Sequence, residues 1–417
     1  MTQPGRWNDE ELSAFEAGLM PENLTAIMRS TWTWDDRALR RDLARLVTAL
    51  QAVGELEPSS DLHRLLRRRT LHAASGFLAA VLGPRVVADT GHRTSFSFAD
   101  TLVRSPWLIG GDDEERLLRA VGAATTHPAT DPVPFELDSS SRFASSLAAH
   151  ALSASGDRGA GAEYLSKIEA GALSATLAAA EGSGSWDPAL VRTRATLEGP
   201  QWVLDGEKFF VPFAETVDVL FVVARSTAGP SLFAVEAAAQ GWTVTDMQSI
   251  DPTRPLARLT LHRVPAVLMG TEGAGGRLMG RALDLAAVTL AEEQVQGAVR
   301  CLELGAAAVQ AADWPLGDAA RRRSELQVQV EVARAMWQRA RRLADDPAEA
   351  SVAASMAHLS CSETFTAVAG ATLPLVAGAG DGVVDEATRL FLRAQAADLI
   401  FGGPAVYYER LLERMDI

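Results

Sequence analysis

Cysteine is nearly absent: Cys301 and Cys361 are the only two. That is too few for a disulfide framework, and neither has metal-ligand spacing around it. Both stand in alanine-rich, helix-like sequence, so two buried free thiols are expected. Lysine is as scarce, with only Lys167 and Lys208 among 39 basic residues. Arginine carries the rest, a bias expected of a GC-rich, actinobacterial type of genome. The net charge of −14 denies a nucleic-acid partner the basic face it needs. No run approaches the roughly 20 apolar residues of a membrane span. The opening MTQPGRWNDEEL is polar and acidic, unlike a signal peptide, and a cytoplasmic protein is expected. The seven histidines show no HxxxH or HxxE pair, so no metal site is expected.

What is present is ordinary globular material: 417 residues, 47% apolar and 22% charged, enough for two or three domains. Three textures follow one another. From about 35 to 125 the pattern is helical, with Leu39, Leu43, Leu46, Val47 and Leu50 at helical spacing between Arg37 and Val53. A second helix is predicted from His63 to Leu82, stopped by Gly83-Pro84. Residues 126–140 are rich in Pro, Asp and Ser and read as a linker, followed by a short helical stretch to about Gly171. Between Leu173 and Pro265 the period becomes that of strands: Val191–Ala195, Gln201–Leu204, Val217–Ala224, Leu232–Val235, Thr243–Asp246 and Ala257–Leu261. Turn residues such as Asp205-Gly206 separate them, which suggests a small sandwich or barrel. From Arg277 onwards the chain is helical again, notably over Leu283–Val309 and Ala319–Ala344. The glycines at 273, 275 and 276 lack the strand, helix and acidic residue of a dinucleotide fingerprint and read as a plain loop.

Several segments, in order, resemble the acyl-CoA dehydrogenase family, especially its divergent actinobacterial subunits. EYLSKIEAGALSATLAAAEGSG (163–184) resembles the entry into that family's β-domain, and WVLDGEKFFVPFAETVDVLFVVAR (202–225) its hallmark strand pair. IDPTRPLARLTLHRVPA (250–266) resembles the strands that close the domain. LDLAAVTLAEEQVQGAVRCLEL (283–304) is similar to the first long helix of the C-terminal bundle, and the closing RLFLRAQAADLIFGGPAVYYERLL to its tail. The resemblance implies an α+β, mainly α fold: helical bundles flanking a small antiparallel β-domain. It divides the chain into a helical domain (1–125), a linker with a short helical segment (126–170), a β-sandwich or barrel (171–270) and a C-terminal bundle (271–417).

The first segment is unusual. DDRALRRDLARLVTAL, LGPRVVADTG and SPWLIGGDDEERLL resemble, in that order, the C-terminal bundle of a second dehydrogenase. That implies a fusion in which the faces around Leu43–Leu50 and Leu326–Val332 pack together within one chain. The turn Leu82–Arg85 would then face the sheet domain, and the protein would be a monomer or homodimer.

The family's reaction needs a carboxylate to take the α-proton of a thioester and FAD to accept the β-hydride. The resemblance assigns the base to Phe401 or Gly402, to Gly110 in the N-terminal segment, or to Ala286, and none is acidic. A flavin-bonding threonine is Ala180 here. The arginine segment that meets the pyrophosphate has become Ala312–Gly317, and the His-Gly-Gly turn has become Ala377-Gly378-Ala379. Only Glu181, the Gly182–Gly184 turn, Ser185, Phe210 and Arg85 remain to bind a cofactor, so no cofactor is expected, or FAD if any. The acidic groups bordering the substrate and flavin space are Glu293, Asp187 and Glu292, the candidate catalytic residues. For Glu293 a structural role competes, and for Asp187, Asp251 and Arg254 an internal ion pair.

The first expectation is therefore a flavin-free, non-redox enzyme of cyclase, isomerase or lyase type, acting on a polyketide-like or acyl-thioester substrate in secondary metabolism. The alternatives are an FAD-dependent dehydrogenase completed by the fused segment or a partner chain, and a catalytically silent subunit.

Overall fold

The computed structural model describes residues 9–87, 102–109, 111–124, 137, 142–311 and 316–415. The segment 126–140, apart from Leu137, and Gly110 lie outside the described residues.

The N-terminal helices are α1 (Asp9–Gly18), α2 (Pro21–Ser30), α3 (Arg37–Glu55), α4 (Asp61–Leu82) and α5 (Gly111–Ala124). Their ends follow local chemistry. Asp36 accepts from the amides of Ala38 at 2.8 Å and Leu39 at 3.2 Å, and Ser60 accepts from His63 N at 3.0 Å, filling donors a helix start leaves open. Gly83, at φ 55°, ends α4 at the expected stop. Helices α6 (Arg142–Ser155) and α7 (Ala160–Glu169) lead into the sheet.

Seven strands follow: β1 (Ala175–Ala178), β2 (Arg194–Glu198), β3 (Gln201–Pro212), β4 (Val219–Ser226), β5 (Gly229–Glu236), β6 (Trp242–Met247) and β7 (Leu256–Met269). The path β4-β2-β3-β7-β5 returns to β4, so five strands close a ring, with β1 joined to β4 and β6 to β7. Closure removes sheet edges that would otherwise need protection. Strand β4 reads VLFVVA without alternation because both of its faces are covered. Leu220, Val222 and Ala224 enter the core between strands, while Val219, Phe221 and Val223 join the main core shared with the helices.

Asp205-Gly206 proves not to be a turn. It lies within β3, which runs on through Gly206 (φ 147°) with a register shift beside it. A side chain there would stand 2.8 Å from Thr193 Cα, so the glycine marks a bulge with close backbone approach. The β2–β3 turn is at Gly199-Pro200 instead. Gly273 and Gly275 are also there for contact, since a Cβ would meet the carbonyl oxygens of Ala228 at 2.6 Å and Pro230 at 2.5 Å.

The bundle consists of α8 (Gly275–Ala311), α9 (Leu316–Arg342), α10 (Ala350–Val376), α11 (Asp381–Leu399) and α12 (Gly403–Arg414). The N-terminal helices pack on it, and the expected pair of faces meets only in part, Val332 packing against the core that holds Leu43 and Val47. Leu43, Leu46 and Val47 sit in the main core with Tyr408, Leu411 and Leu412, whereas Leu326 and Val330 belong to a cluster inside the bundle. Helices α4 and α5 meet α9 instead, Leu65, Leu117, Leu118 and Val121 closing on Val328 and Val332. Arg69 pairs with Glu325 at 2.7 Å and Glu114 at 2.7 Å across that seam. Arg45 Nε donates to Tyr408 Oη at 3.0 Å, and Tyr408 Oη donates to Glu363. Cys301 and Cys361 are buried and free. No described helix is long and apolar enough to cross a membrane.

Candidate active site

The turn after β1 carries Glu181, and its carboxylate is already fully engaged. It accepts from the backbone amides of Arg192 (3.0 Å) and Thr193 (2.8 Å), from Thr193 Oγ1 (2.7 Å) and from Lys208 Nζ (2.9 Å). Burial pushes this carboxyl up, but the Thr193 amide and the Lys208 ammonium outweigh it and bring it down to about 2. Lys208 is fully buried on β3, and desolvation lowers it to about 8 against the pull of Glu181. The pair ties the turn to the floor of the sheet and leaves Glu181 little capacity for a ligand.

Further along the turn, Ser185 Oγ accepts from Asp187 N at 3.1 Å, and Asp187 caps the short 3-10 helix Pro188–Leu190 through Ala189 N at 2.8 Å. Asp187 is thus a cap. Between them, Trp186 turns inward: Nε1 donates to the Ile400 carbonyl at 2.9 Å, and the indole lies edge-on to Phe401, ring centroids 5.3 Å apart. Phe401 is 2% exposed and also packs near Phe143 at 6.2 Å and His358 at 6.4 Å. His358 is fully buried, stacks on Tyr407 at 4.0 Å, and has no hydrogen-bond partner at either ring nitrogen among the described residues. Burial, and then Arg410, lower it to about 3, so it is neutral. Ala286, the other place assigned to a base, is 1% exposed in the main core.

Behind this aromatic cluster lies a buried ionic lattice. Glu293 on α8 receives Arg254 Nη2 at 2.9 and 2.8 Å and Arg393 Nη1 at 2.8 Å. Arg393, on α11, also binds Asp251 and Thr253. Asp251 and Arg254 are buried, and the Arg254 guanidinium lies 4.0 Å over the Phe143 ring. Glu293 is held between two guanidinium groups. Glu292, one residue earlier, is half-buried with no hydrogen bond among the described residues, and burial raises its pKa.

Two flavin candidates lie apart from the cluster. Phe210 sits at φ 57° in a register shift of β3, its ring 39% exposed beside Gly184. Arg85 donates to the Ser30 carbonyl at 3.4 Å and so is held by the N-terminal helices. Sequence reasoning missed Trp186, Phe143, His358 and Arg393. The one available signal was Trp186 directly after the Gly182–Ser185 turn, where a large aromatic must either be exposed or fill a space.

Residues 176–264 match the family description "Acyl-CoA dehydrogenase, middle domain". This is the acyl-CoA dehydrogenase fold. The chain is 26% identical over 242 residues to acyl-CoA dehydrogenase FadE12 of Mycobacterium tuberculosis, covering 52% of this chain and 61% of that protein. The match thus spans about three-fifths of that relative. Among solved structures, butyryl-CoA dehydrogenase from Megasphaera elsdenii superposes with a TM-score of 0.60 at 16% identity, over 94% of this chain and 98% of that one. A glutaryl-CoA dehydrogenase from Mycobacterium smegmatis in complex with FADH2 gives 0.57 at 16% identity, over 98% and 95%. Residues 176–264 thus resemble that family's middle domain, and the chain as a whole has the family's fold.

Proposed function

We propose that this chain uses the acyl-CoA dehydrogenase fold without that family's oxidation chemistry, as a catalytically silent subunit that stabilises an active partner. The observation that carries this reading is the direct contact of Trp186 with Ile400 and Phe401. Proton abstraction and hydride transfer need room for a substrate between base and flavin, with reacting atoms about 3–3.5 Å apart. Here the turns that carry Phe401 and Trp186 touch through an indole and a phenyl ring. No carboxylate stands at Phe401 or Ala286, and Glu181, Asp187 and Glu293 are each committed to protein donors.

The residues present do not fit FAD. Phe210 still offers an exposed ring, but Glu181 is committed to protein donors and Phe401 packs against Trp186. The test is a flavin spectrum and heat release on purified protein, with a dye-reduction assay over acyl-CoA chain lengths and added FAD. A colourless, inactive protein is expected. Stoichiometric flavin with turnover by the chain alone overturns the reading.

A second reading keeps the non-redox enzyme acting on an acyl-thioester or polyketide-like substrate. Glu292 favours it, because a half-buried carboxyl with a raised pKa and no hydrogen bond among the described residues is suited to proton transfer. It requires flavin-free conversion of such a substrate that disappears in Glu292→Gln.

A further inference from the structure

A cavity lies at the far end of the bundle. It measures about 300 Å³ and opens between the end of α8, the start of α9 and the end of α10. Its walls are apolar: Leu302, Val309, Leu326 and Leu375 line it, with the buried Cys301 thiol. The space depends on a missing side chain, because a Cβ at Gly305 would stand 3.2 Å from Leu375 Cδ1. Arg322 and Arg323 line the same cavity and are exposed.

Those two guanidinium groups differ from their immediate neighbours. Most arginines nearby are paired, Arg321 with Glu115 and Arg300 with Glu386, in a chain of net charge −14. Among the described residues, Arg322 and Arg323 have neither an ion pair nor a hydrogen bond to a side chain. An apolar slot with free cations at its rim complements a molecule with an apolar tail and an anionic head. The volume is at the small end of ligand pockets, which run from about 300 to 1,000 Å³, so a short ligand is required.

We propose that this cavity binds a medium-chain carboxylate, its alkyl chain between α8 and α10 and its head between Arg322 and Arg323. The Thr372 hydroxyl lining the slot already donates within the bundle, to Val368 O at 2.9 Å and Cys301 O at 3.1 Å. The head is therefore held by the arginines, and the chain by burial of methylenes. The site is separate from the aromatic cluster at Phe401 and does not depend on the silent-subunit reading.

Titration calorimetry with hexanoate, octanoate and decanoate on the full chain tests it. Affinity should rise about fourfold per added methylene, the equivalent of about 0.8 kcal/mol of transfer, until the slot is full. Octanol, with the tail and no charge, and inorganic phosphate, with charge and no tail, should each bind at least about tenfold more weakly than octanoate. The double variant Arg322→Gln/Arg323→Gln changes only exposed side chains and should lose about tenfold for octanoate while leaving octanol unchanged. Gly305→Val should abolish binding by filling the slot. Because that variant could disturb the helix packing, the arginine variant decides the matter independently. Absence of octanoate binding, no dependence on chain length, no loss in the arginine variant, or equal binding of ADP would each overturn the proposal.

Discussion

At Glu181 four donors converge on one carboxylate, and the acid limb of stability should show it. Its folded pKa of about 2 lies below the ordinary 4.5. The group therefore contributes stability that is fully present above about 4.5 and is lost as the pH falls towards 2. In Glu181→Gln this contribution is missing, so urea-denaturation stability measured at stepped pH should fall less steeply between those limits than in the parent chain. An unchanged slope would mean that the carboxylate is not held as described. Phe401 gives a second expectation. Truncating a buried phenyl ring among Trp186, Phe143 and His358 leaves a cavity that rigid helices close poorly. Phe401→Ala should cost about 3–5 kcal/mol in denaturant titration, without producing dehydrogenase activity. A neutral substitution would mean that the cluster is loosely packed.

Arg393 ties helix α11 to the sheet domain and to α8, which also holds α11 through Arg300–Glu386 and a shared apolar cluster. Arg393→Ala would leave the buried Asp251 without its ion-pair partner and the partly buried Glu293 with Arg254 alone, a loss of about 3–5 kcal/mol for a broken buried pair. Hydrogen exchange should show the damage first in residues 381–399, with the β-ring protected. Uniform loss across both would show that the lattice is not specific to α11. This lattice also shows where the sequence stopped being legible. The helices at Arg37, His63, Leu283 and Ala319 and most of the strands announce themselves by period, and the quoted segments carry the family's order. Asp205-Gly206 misleads because a bulge and a hairpin turn need the same positive φ. The partners of Glu293 could not be read, because Arg254 lies 39 residues away and Arg393 100 residues away, and spacing along the chain carries no trace of such contacts. Asp187 as a cap, by contrast, is local chemistry, and its Pro188 neighbour at the start of a helical turn was a visible cue.

The molecule as a whole holds its N-terminal helices by two apolar contacts, α3 on α12 and α4 with α5 on α9, and by scattered ion pairs. Exposed pairs contribute little, so the apolar contacts should dominate. Leu118→Ala, at a site 1% exposed against Val328 and Val332, should cost about 2–5 kcal/mol. Raising the salt concentration should change stability much less than that. If salt matters more than the leucine, Arg69 and its two glutamates are the true fastening. The contact of Arg45 with Tyr408 joins residues 363 positions apart, and that separation bears on how the protein is made. While the chain is being synthesised, α3 emerges long before α12, which it will cover. The apolar face of α3 around Leu43 and Val47 must therefore wait, uncovered, through that interval. Closing so long a loop is slow, and the interval is one in which exposed apolar helices aggregate. Ribosome-bound chains halted before Gly403 should consequently be protease-sensitive across residues 37–55, and should become resistant once α12 is free of the exit tunnel.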